Sequence, residues 1–513
     1  MPHDRTPVLV GVGQCVVRDP AQETALPSPM DLLERAARAA LEDSGLGSGV
    51  LSHLDTLASI RFFEHSTKGE AMVAHPFGCA DNVPGALARR LGTTPRRLIY
   101  ADVGGQTPQR LVNRFCREIA AGEIRCALVA GAEAIASIKL AARTGLTPDW
   151  REEVGGEYVD EWLTNKMVSP YERAHGLFLP LRVYPLFEHA QRVRDGRTLE
   201  QQRAWMAQVL APMSRVAAGN PFAQFPQARS TAEIASPSAE NFLISEPYTK
   251  WMVAQDAVDQ GAAVLLMSLG LARELGVPPG KLVFLESHAD LDDHVVTARP
   301  DLARSAAQDL AVQAALDRAG LGIEDIQHLD VYSCFPIAVT SACESLGIDP
   351  IAGRAITLTG GLPFFGGPGN NYSMHAIAEA VARVRAAPSG RAMVIANGGY
   401  LSKHSAGIYA ASLAGEWRAP DDRDLGQRFA AVPQVPLAPA ATTSATVESY
   451  VLSLRKDVPD VAYVAARAGK HRLLARVADG DSATLAALRD REPVGRRIAV
   501  SHDGNIHRFT FDD

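Results

Sequence analysis

The chain repeats its own order of parts. Residues 309–335, "DLAVQAALDRAGLGIEDIQHLDVYSCF", follow the plan of residues 31–63, "DLLERAARAALEDSGLGSGVLSHLDTLASIRFF": a helix, an "AL-D/E…GLG" stop, a short connector, then a strand. Residues 380–400, "AVARVRAAPSGRAMVIANGGY", likewise follow residues 116–134, "CREIAAGEIRCALVAGAEA": a helix end, a tight turn, then a strand that runs into a glycine-bearing end. A repeat on this scale implies two similar halves, each unable to bury its apolar face alone and therefore packed on the other. At 513 residues the chain also exceeds one ordinary core. The reading divides it into residues 1–270 and 271–412, with an insertion at 140–250 in the first half.

Within each half, strand-like and helical patterns alternate. "TPVLVGVGQCVV" is a β-branched apolar run of the kind buried parallel strands need. "SPMDLLERAARAALEDSGL" has a Ser28-Pro29 helix start and Gly45 as its stop. "TPQRLVNRFCREIAAG" places Thr107 as N-cap, Pro108 in the first turn and Gly122 at the end. The expectation is a layered α/β core with mostly parallel sheets. The insertion, rich in Trp, Tyr, Pro and His, reads as a lid or substrate wall. Residues 413–440 read as a Pro/Ala-rich linker, and 441–513 as short strands forming a small β-barrel.

Composition narrows the setting. The formal net charge of −7 suits a soluble protein and argues against nucleic acid as a partner. No apolar run approaches the ~20 residues of a membrane span, so no membrane partner is expected. The six cysteines, at 15, 79, 116, 126, 334 and 343, include no CxxC pair. That excludes a zinc or disulfide framework as the expectation and fits the cytoplasm. No metal site is expected.

The densest chemical signal is "GGLPFFGGPGNNYSMHAI", residues 360–377, with five glycines among residues 360–369. Glycine loses the most backbone freedom on folding, so such a run needs a reason. It can bring backbone N–H groups, with those at 397–399, against a ligand's carbonyl as an oxyanion-type pocket, or it can serve only tight turns between packed layers. Candidate binding residues are Gly366, Gly367, Asn370, Asn371, Asn397, Gly398 and Tyr400. Tyr332, at a strand end, and His375, just inside a helix, are candidate proton-transfer groups. His375 equally suits a capping or supporting role, Tyr400 a packed aromatic, and Asn397 a turn.

These motifs resemble the thiolase superfamily, in particular its sterol-carrier-protein-2 thiolase-like branch, over roughly residues 5–412. "CREIAAGEIRCALVAGAEA" resembles the helix and strand that follow the family's nucleophile, and "LDVYSCFPIAVTSACESLGI" its His-Asp-Cys-Phe region. "GGLPFFGGPGNNYSMHAI" is similar to its Gly-His-Pro loop, and "RAMVIANGGY" to the strand ending in its second cysteine. The resemblance implies a duplicated βαβαβ core in α/β/α/β/α layers, and an OB-like fold for the tail. It also implies where chemistry should sit: the nucleophile position falls on Gly105, the Gly-His-Pro histidine on Gly367, the second cysteine on Ala396, and the first motif residue on Tyr332. A ping-pong cysteine mechanism is therefore not expected. Cys116, on the stripe Leu111, Val112, Phe115, Ile119, reads as core.

Three functions remain open. One is an acyltransferase-like protein acting on or binding an acyl-CoA thioester without a cysteine nucleophile. Another is a retro-aldol carbon–carbon lyase on a β-hydroxyacyl-CoA. The third is a non-catalytic acyl-CoA or lipid binder or scaffold. No cofactor is expected beyond coenzyme A as part of the substrate. The resemblance implies a homodimer, or a monomer if the extra domain covers that surface.

Overall fold

A computed structural model describes residues 3–66, 76–162, 167–455, 458–478 and 480–511. The strands are β1 (Pro7–Val16), β2 (Thr56–Ser59), β3 (Arg97–Tyr100), β4 (Cys126–Ala134), β5 (Val159–Asp160), β6 (Leu243–Ser245), β7 (Tyr248–Thr249) and β8 (Asp259–Ser268). The second half adds β9 (Phe284–Asp292), β10 (His328–Val331), β11 (Ala392–Gly398) and β12 (Lys403–Ala410). The tail adds β13 (Ser444–Arg455), β14 (Val458–Ala468), β15 (His471–Val477), β16 (Arg497–His502) and β17 (His507–Phe511).

The first sheet runs β1-β8-β4-β2-β3-β5 and the second β10-β11-β12-β9. Two helices, Thr107–Ala121 and Tyr372–Ala386, lie between them. Their apolar residues Val112, Phe115, Ile119, Met374, Ile377 and Val381 share one core with β3 and β4 on one side and β11 and β12 on the other. The helix Pro29–Asp43 covers the outer face of the first sheet. The helices Ala306–Ala319 and Pro336–Leu346 cover that of the second. This is the expected five-layer order, with equivalent helices meeting at the centre. Cys116 is fully buried there, as its helical stripe requires.

Two local expectations are corrected. The sheets are mixed rather than mostly parallel: β8 lies between β1 and β4, antiparallel to both, and β12 is antiparallel to β9 and β11. β1 is thus apolar because both its faces are covered, not because its neighbour is parallel. Thr107 is the first helical residue rather than the N-cap, which is Gln106. The Thr107 hydroxyl donates to the Asp102 carbonyl at 3.1 Å and ties down the turn before the helix.

β14-β15-β17-β16-β13 form a five-stranded barrel closed by β13–β14 pairing, with its own core of Tyr450, Leu452, Val464, Leu473, Ile498 and Phe509. The hairpin β6–β7 joins it through the Ser245–Ser453 pair. The segment between β5 and β6 is largely helical, including Tyr184–Arg194 and Leu199–Gly219. The first of these lies against β13, where Ser449 donates to the Leu186 carbonyl at 2.6 Å. Among the described residues no helix is long and apolar enough to cross a membrane.

Candidate functional site

The duplicated layers bring loops of both halves together at the start of the helix Thr107–Ala121. Asn370 bridges them: its Oδ1 accepts from Gly104 N at 2.9 Å, and its Nδ2 donates to the Arg61 carbonyl at 2.9 Å and Ser66 Oγ at 3.0 Å. Ser373 donates to the Gly105 carbonyl. From β12, the buried Lys403 ammonium donates to Asp102 Oδ2 at 2.9 Å and the Val103 carbonyl at 3.0 Å, and burial pulls its pKa below the usual lysine range. Residues 102–105 are thereby fixed from three sides.

Gly105 faces Tyr332 directly. A Cβ at this position would overlap the Tyr332 hydroxyl and ring and would come within 2.6 Å of the Asn397 carbonyl. Tyr332 stands edge-on to Tyr372, ring centroids 5.3 Å apart, and its hydroxyl makes no hydrogen bond among the described residues. Burial holds its pKa well above the usual phenol value, so this hydroxyl keeps its proton at neutral pH. It can donate; it is poorly suited to act as a base.

Tyr184, from the segment between β5 and β6, supports the end of β11. Its ring stacks on Phe335 at 4.1 Å, and its hydroxyl donates to the Gly399 carbonyl at 3.3 Å. The same oxygen accepts from Leu401 N at 3.2 Å and Asn397 Nδ2 at 3.0 Å. That pattern fixes the Asn397 amide with Oδ1 as its free end, buried and unpartnered among the described residues. Leu401 holds a positive φ of 51°, a strained backbone for a bulky residue. Cys334 lies 3.8 Å from Asn397 Nδ2, and burial pushes its thiol up to about 12, so it is not a thiolate. Gln106 fills the space beside Gly398, where a Cβ would overlap Gln106 Oε1.

The remaining sequence candidates separate into two groups. Asn397, Gly398 and Tyr332 join the cluster at Gly105, and Tyr400 borders it by donating to the Phe178 carbonyl. His375 lies elsewhere: its Nδ1 donates to Gln14 Oε1 at 2.7 Å, and its ring meets Phe365 edge-on at 5.0 Å. Gln14 Nε2 is engaged by Glu379 at 3.0 Å, which fixes Gln14 Oε1 as the acceptor. His375 is therefore neutral, its Nε2 without a partner among the described residues, and burial takes its pKa down to about 3. Asn371 donates to the Gly131 carbonyl at 2.7 Å. Gly366 packs on Gln260, while Gly367 donates to the Gln255 carbonyl at 2.8 Å. A Cβ at Gly367 would stand 3.3 Å from both Ala254 Cβ and Gln255 O, so neighbours already fill the space a longer side chain would take. Ala396 is buried in β11.

Sequence reasoning missed Tyr184, Gln106 and Lys403. Each lies far along the chain from the groups it holds or in an ordinary helix-start context. One cavity of about 410 Å³ lies near Ser48 and Thr94 and another of about 270 Å³ near Asp293 and Arg304. Neither is lined by Tyr332 or Gly105.

The layered duplicated core with its added barrel defines a thiolase-like protein. Residues 424–505 match the family model described as the thiolase-like protein type 1 additional C-terminal domain. The whole chain aligns with the whole of a monomeric SCP2-thiolase-like protein type 1 from Mycobacterium smegmatis at 35% identity and a TM-score of 0.83. The chain belongs to this SCP2-thiolase-like type 1 family. A probable acetyl-CoA acetyltransferase of Mycolicibacterium smegmatis is 27% identical over 134 residues, 25% of this chain and 32% of that protein. The chain thus spans about a third of the length of such curated relatives. An Ltp2-ChsH2(DUF35) aldolase structure shares the fold, with a TM-score of 0.58 at 19% identity over 79% of this chain and 98% of that one.

Proposed function

We propose that this protein binds an acyl-CoA thioester at the junction of its two halves and handles it without an acyl-cysteine intermediate, with Tyr332 donating its hydroxyl proton toward the thioester carbonyl. One observation carries the reading: an unpartnered, protonated phenol stands where a side chain at position 105 would otherwise project, at the start of a helix whose dipole favours developing negative charge. Asp102, Cys334 and Gly399 at its edge are only half-buried, which leaves a side from which a ligand can approach. The partial likeness to acetyl-CoA acetyltransferases supports the ligand class. Coenzyme A enters as part of that ligand, in a lipid-metabolic role and with no separate cofactor.

Retro-aldol cleavage of a β-hydroxyacyl-CoA is the second reading, favoured by the fold shared with an aldolase complex. With Tyr332 as proton donor, it requires the base to come from the substrate or from bound water. We further propose a monomer in the cytoplasm. The free edge of β3 is capped in parallel by β5 of the same chain, and all six cysteines are free.

Calorimetry with CoA, acetyl-CoA and a longer enoyl- or β-hydroxyacyl-CoA, with products followed by mass spectrometry, tests the reading. Micromolar binding that weakens in Tyr332→Phe supports it, and the product separates transferase from lyase. Binding without turnover points to a carrier. Absence of binding removes the ligand assignment and leaves the fold.

A further inference from the structure

Glu133 and Gln260 face one another in register on β4 and β8, side by side on the sheet face that lies beneath the glycine loop. Both are fully buried. Glu133 Oε1 accepts from Phe63 N at 2.8 Å. Gln260 Nε2 donates to the Phe222 carbonyl at 2.9 Å and the Phe365 carbonyl at 3.0 Å, which fixes its Oε1 as the free end. Glu133 Oε2 and Gln260 Oε1 are then two buried acceptors, neither with a donor among the described residues. Burying unpaired acceptors costs free energy, and an unpaired buried carboxylate costs far more.

Among the described residues, no positive group offsets such a charge at Glu133, and Tyr100 and Cys79, which also bear on it, are held neutral by burial. Glu64 in the turn Phe63–Ser66 and Asp256 just before β8 are both acidic. The Arg61 guanidinium turns away, to the Ala101 carbonyl and Asp160. On the helix Tyr372–Ala386, His375 is neutral and its proton is committed to Gln14.

We infer that Glu133 is a carboxylic acid in the resting protein, that its Oε2–H is donated to Gln260 Oε1, and that this neutral pair positions the glycine loop. One proton satisfies both orphaned atoms without any external group. Burial first and Glu64 second push the Glu133 carboxyl well above the usual carboxylate range. The loop is moulded on the pair. A Cβ at Gly369, whose φ is +51°, would overlap the Glu133 carboxylate, and one at Gly366, at φ +119°, would lie 2.5 Å from Gln260 Oε1. Gln260 in turn holds the Phe365 carbonyl. On ionisation the proton leaves to solvent, and a carboxylate is left against an amide oxygen under residues 365–369. Glu133 is thus a positioning residue, and the inference stands apart from the ligand reading.

Infrared difference spectroscopy of the full chain at pH 8, wild type minus Glu133→Gln, tests it, because Asp259 and Asp330, with pKa values of about 6, are ionised there. The expected result is loss of one protonated-carboxyl carbonyl band in the variant. The unfolding midpoint should also fall more steeply with rising alkalinity in wild type than in Glu133→Gln. No lost band, with a midpoint raised by potassium or sodium relative to choline, would assign the charge to a bound cation and overturn the inference. No lost band and no ion dependence would overturn it as well. If that variant does not fold, the same difference spectrum taken with Glu133→Asp decides the question; a band neither lost nor shifted refutes the inference.

Discussion

Adding one carbon at position 105 is the sharpest perturbation of the site. In Gly105→Ala the new Cβ overlaps the Tyr332 hydroxyl and ring and lies 2.6 Å from the Asn397 carbonyl. The φ of Gly105 is not in the left-handed region, so the penalty comes from packing and not from the backbone. Overpacking of this kind costs about 1–3 kcal/mol. Tyr332→Ala alone empties a buried aromatic site and should cost about 3–5 kcal/mol. In the double variant the methyl occupies part of the vacated volume. Only the backbone contact with Asn397 survives, and the 105 penalty should shrink to about 1 kcal/mol or less, a coupling within the ~0.5–3 kcal/mol seen for neighbouring residues. The assay is the midpoint of the core unfolding transition in urea for all four proteins of the cycle. Equal penalties for Gly105→Ala with and without Tyr332, or none in either background, would refute the claim that this phenol fills the space in front of Gly105.

Acid should destabilise the protein through His175. Its Nδ1 donates to the Tyr171 carbonyl at 2.8 Å and its Nε2 accepts from His507 N at 3.2 Å, so it folds neutral, with a pKa lowered to about 4 by burial. The unfolded chain takes up that proton near pH 6.5, so this stability is full above pH 6.5 and is lost as pH falls toward 4, a total of about 3 kcal/mol. A flatter midpoint-versus-pH curve in His175→Gln checks the sign. Lys403→Met should cost about 2 kcal/mol or more by leaving Asp102 unpaired, and Asp102→Asn in the same chain should restore part of it in the same urea assay. Sedimentation at tens of micromolar should give one species near 54.8 kDa; a stable dimer would contradict the capped β3 edge.

The sequence made the duplication legible because each half must present the same apolar faces to the same layers: the stripe on Thr107–Ala121 and the one on Tyr372–Ala386 meet in a single core. The barrel was legible from turn residues spaced between alternating strands. Strand direction was not, since β1 and β8 are apolar in either pairing sense once both faces are covered. Within the site, Tyr332, Asn397 and Gly398 could be placed together because each ends a strand of the second half. His375 could not be separated from them, because one turn along a buried helix carries a side chain from the loop to Gln14. Nor does any local signal tell that Tyr184 clamps residues 397–401, since its partners lie more than 200 positions away.

The glycines of the cluster and their neighbours are coupled through volume. Where Gly105 has no side chain, Tyr332 has moved in; where Gly367 has none, Ala254, Gln255 and Leu362 close around it; beside Gly398, Gln106 fills the gap. Packing at interior density means that a side chain added at 105 needs Tyr332 reduced first. The strain at Leu401 adds to this: the turn 397–401 is held in a costly conformation by backbone hydrogen bonds to the Tyr184 and Ser402 hydroxyls and by the full burial of the Leu401 side chain in the core. Backbone strain held in this way clusters at active sites and ligand clamps. Replacing Tyr184 with Phe would release Asn397 and Leu401 together. If the turn serves binding, that variant loses affinity for a thioester ligand while its unfolding midpoint changes by no more than one lost hydrogen-bond set, about 1–3 kcal/mol. Unchanged affinity in a folded Tyr184→Phe protein would show that the strained turn is structural alone.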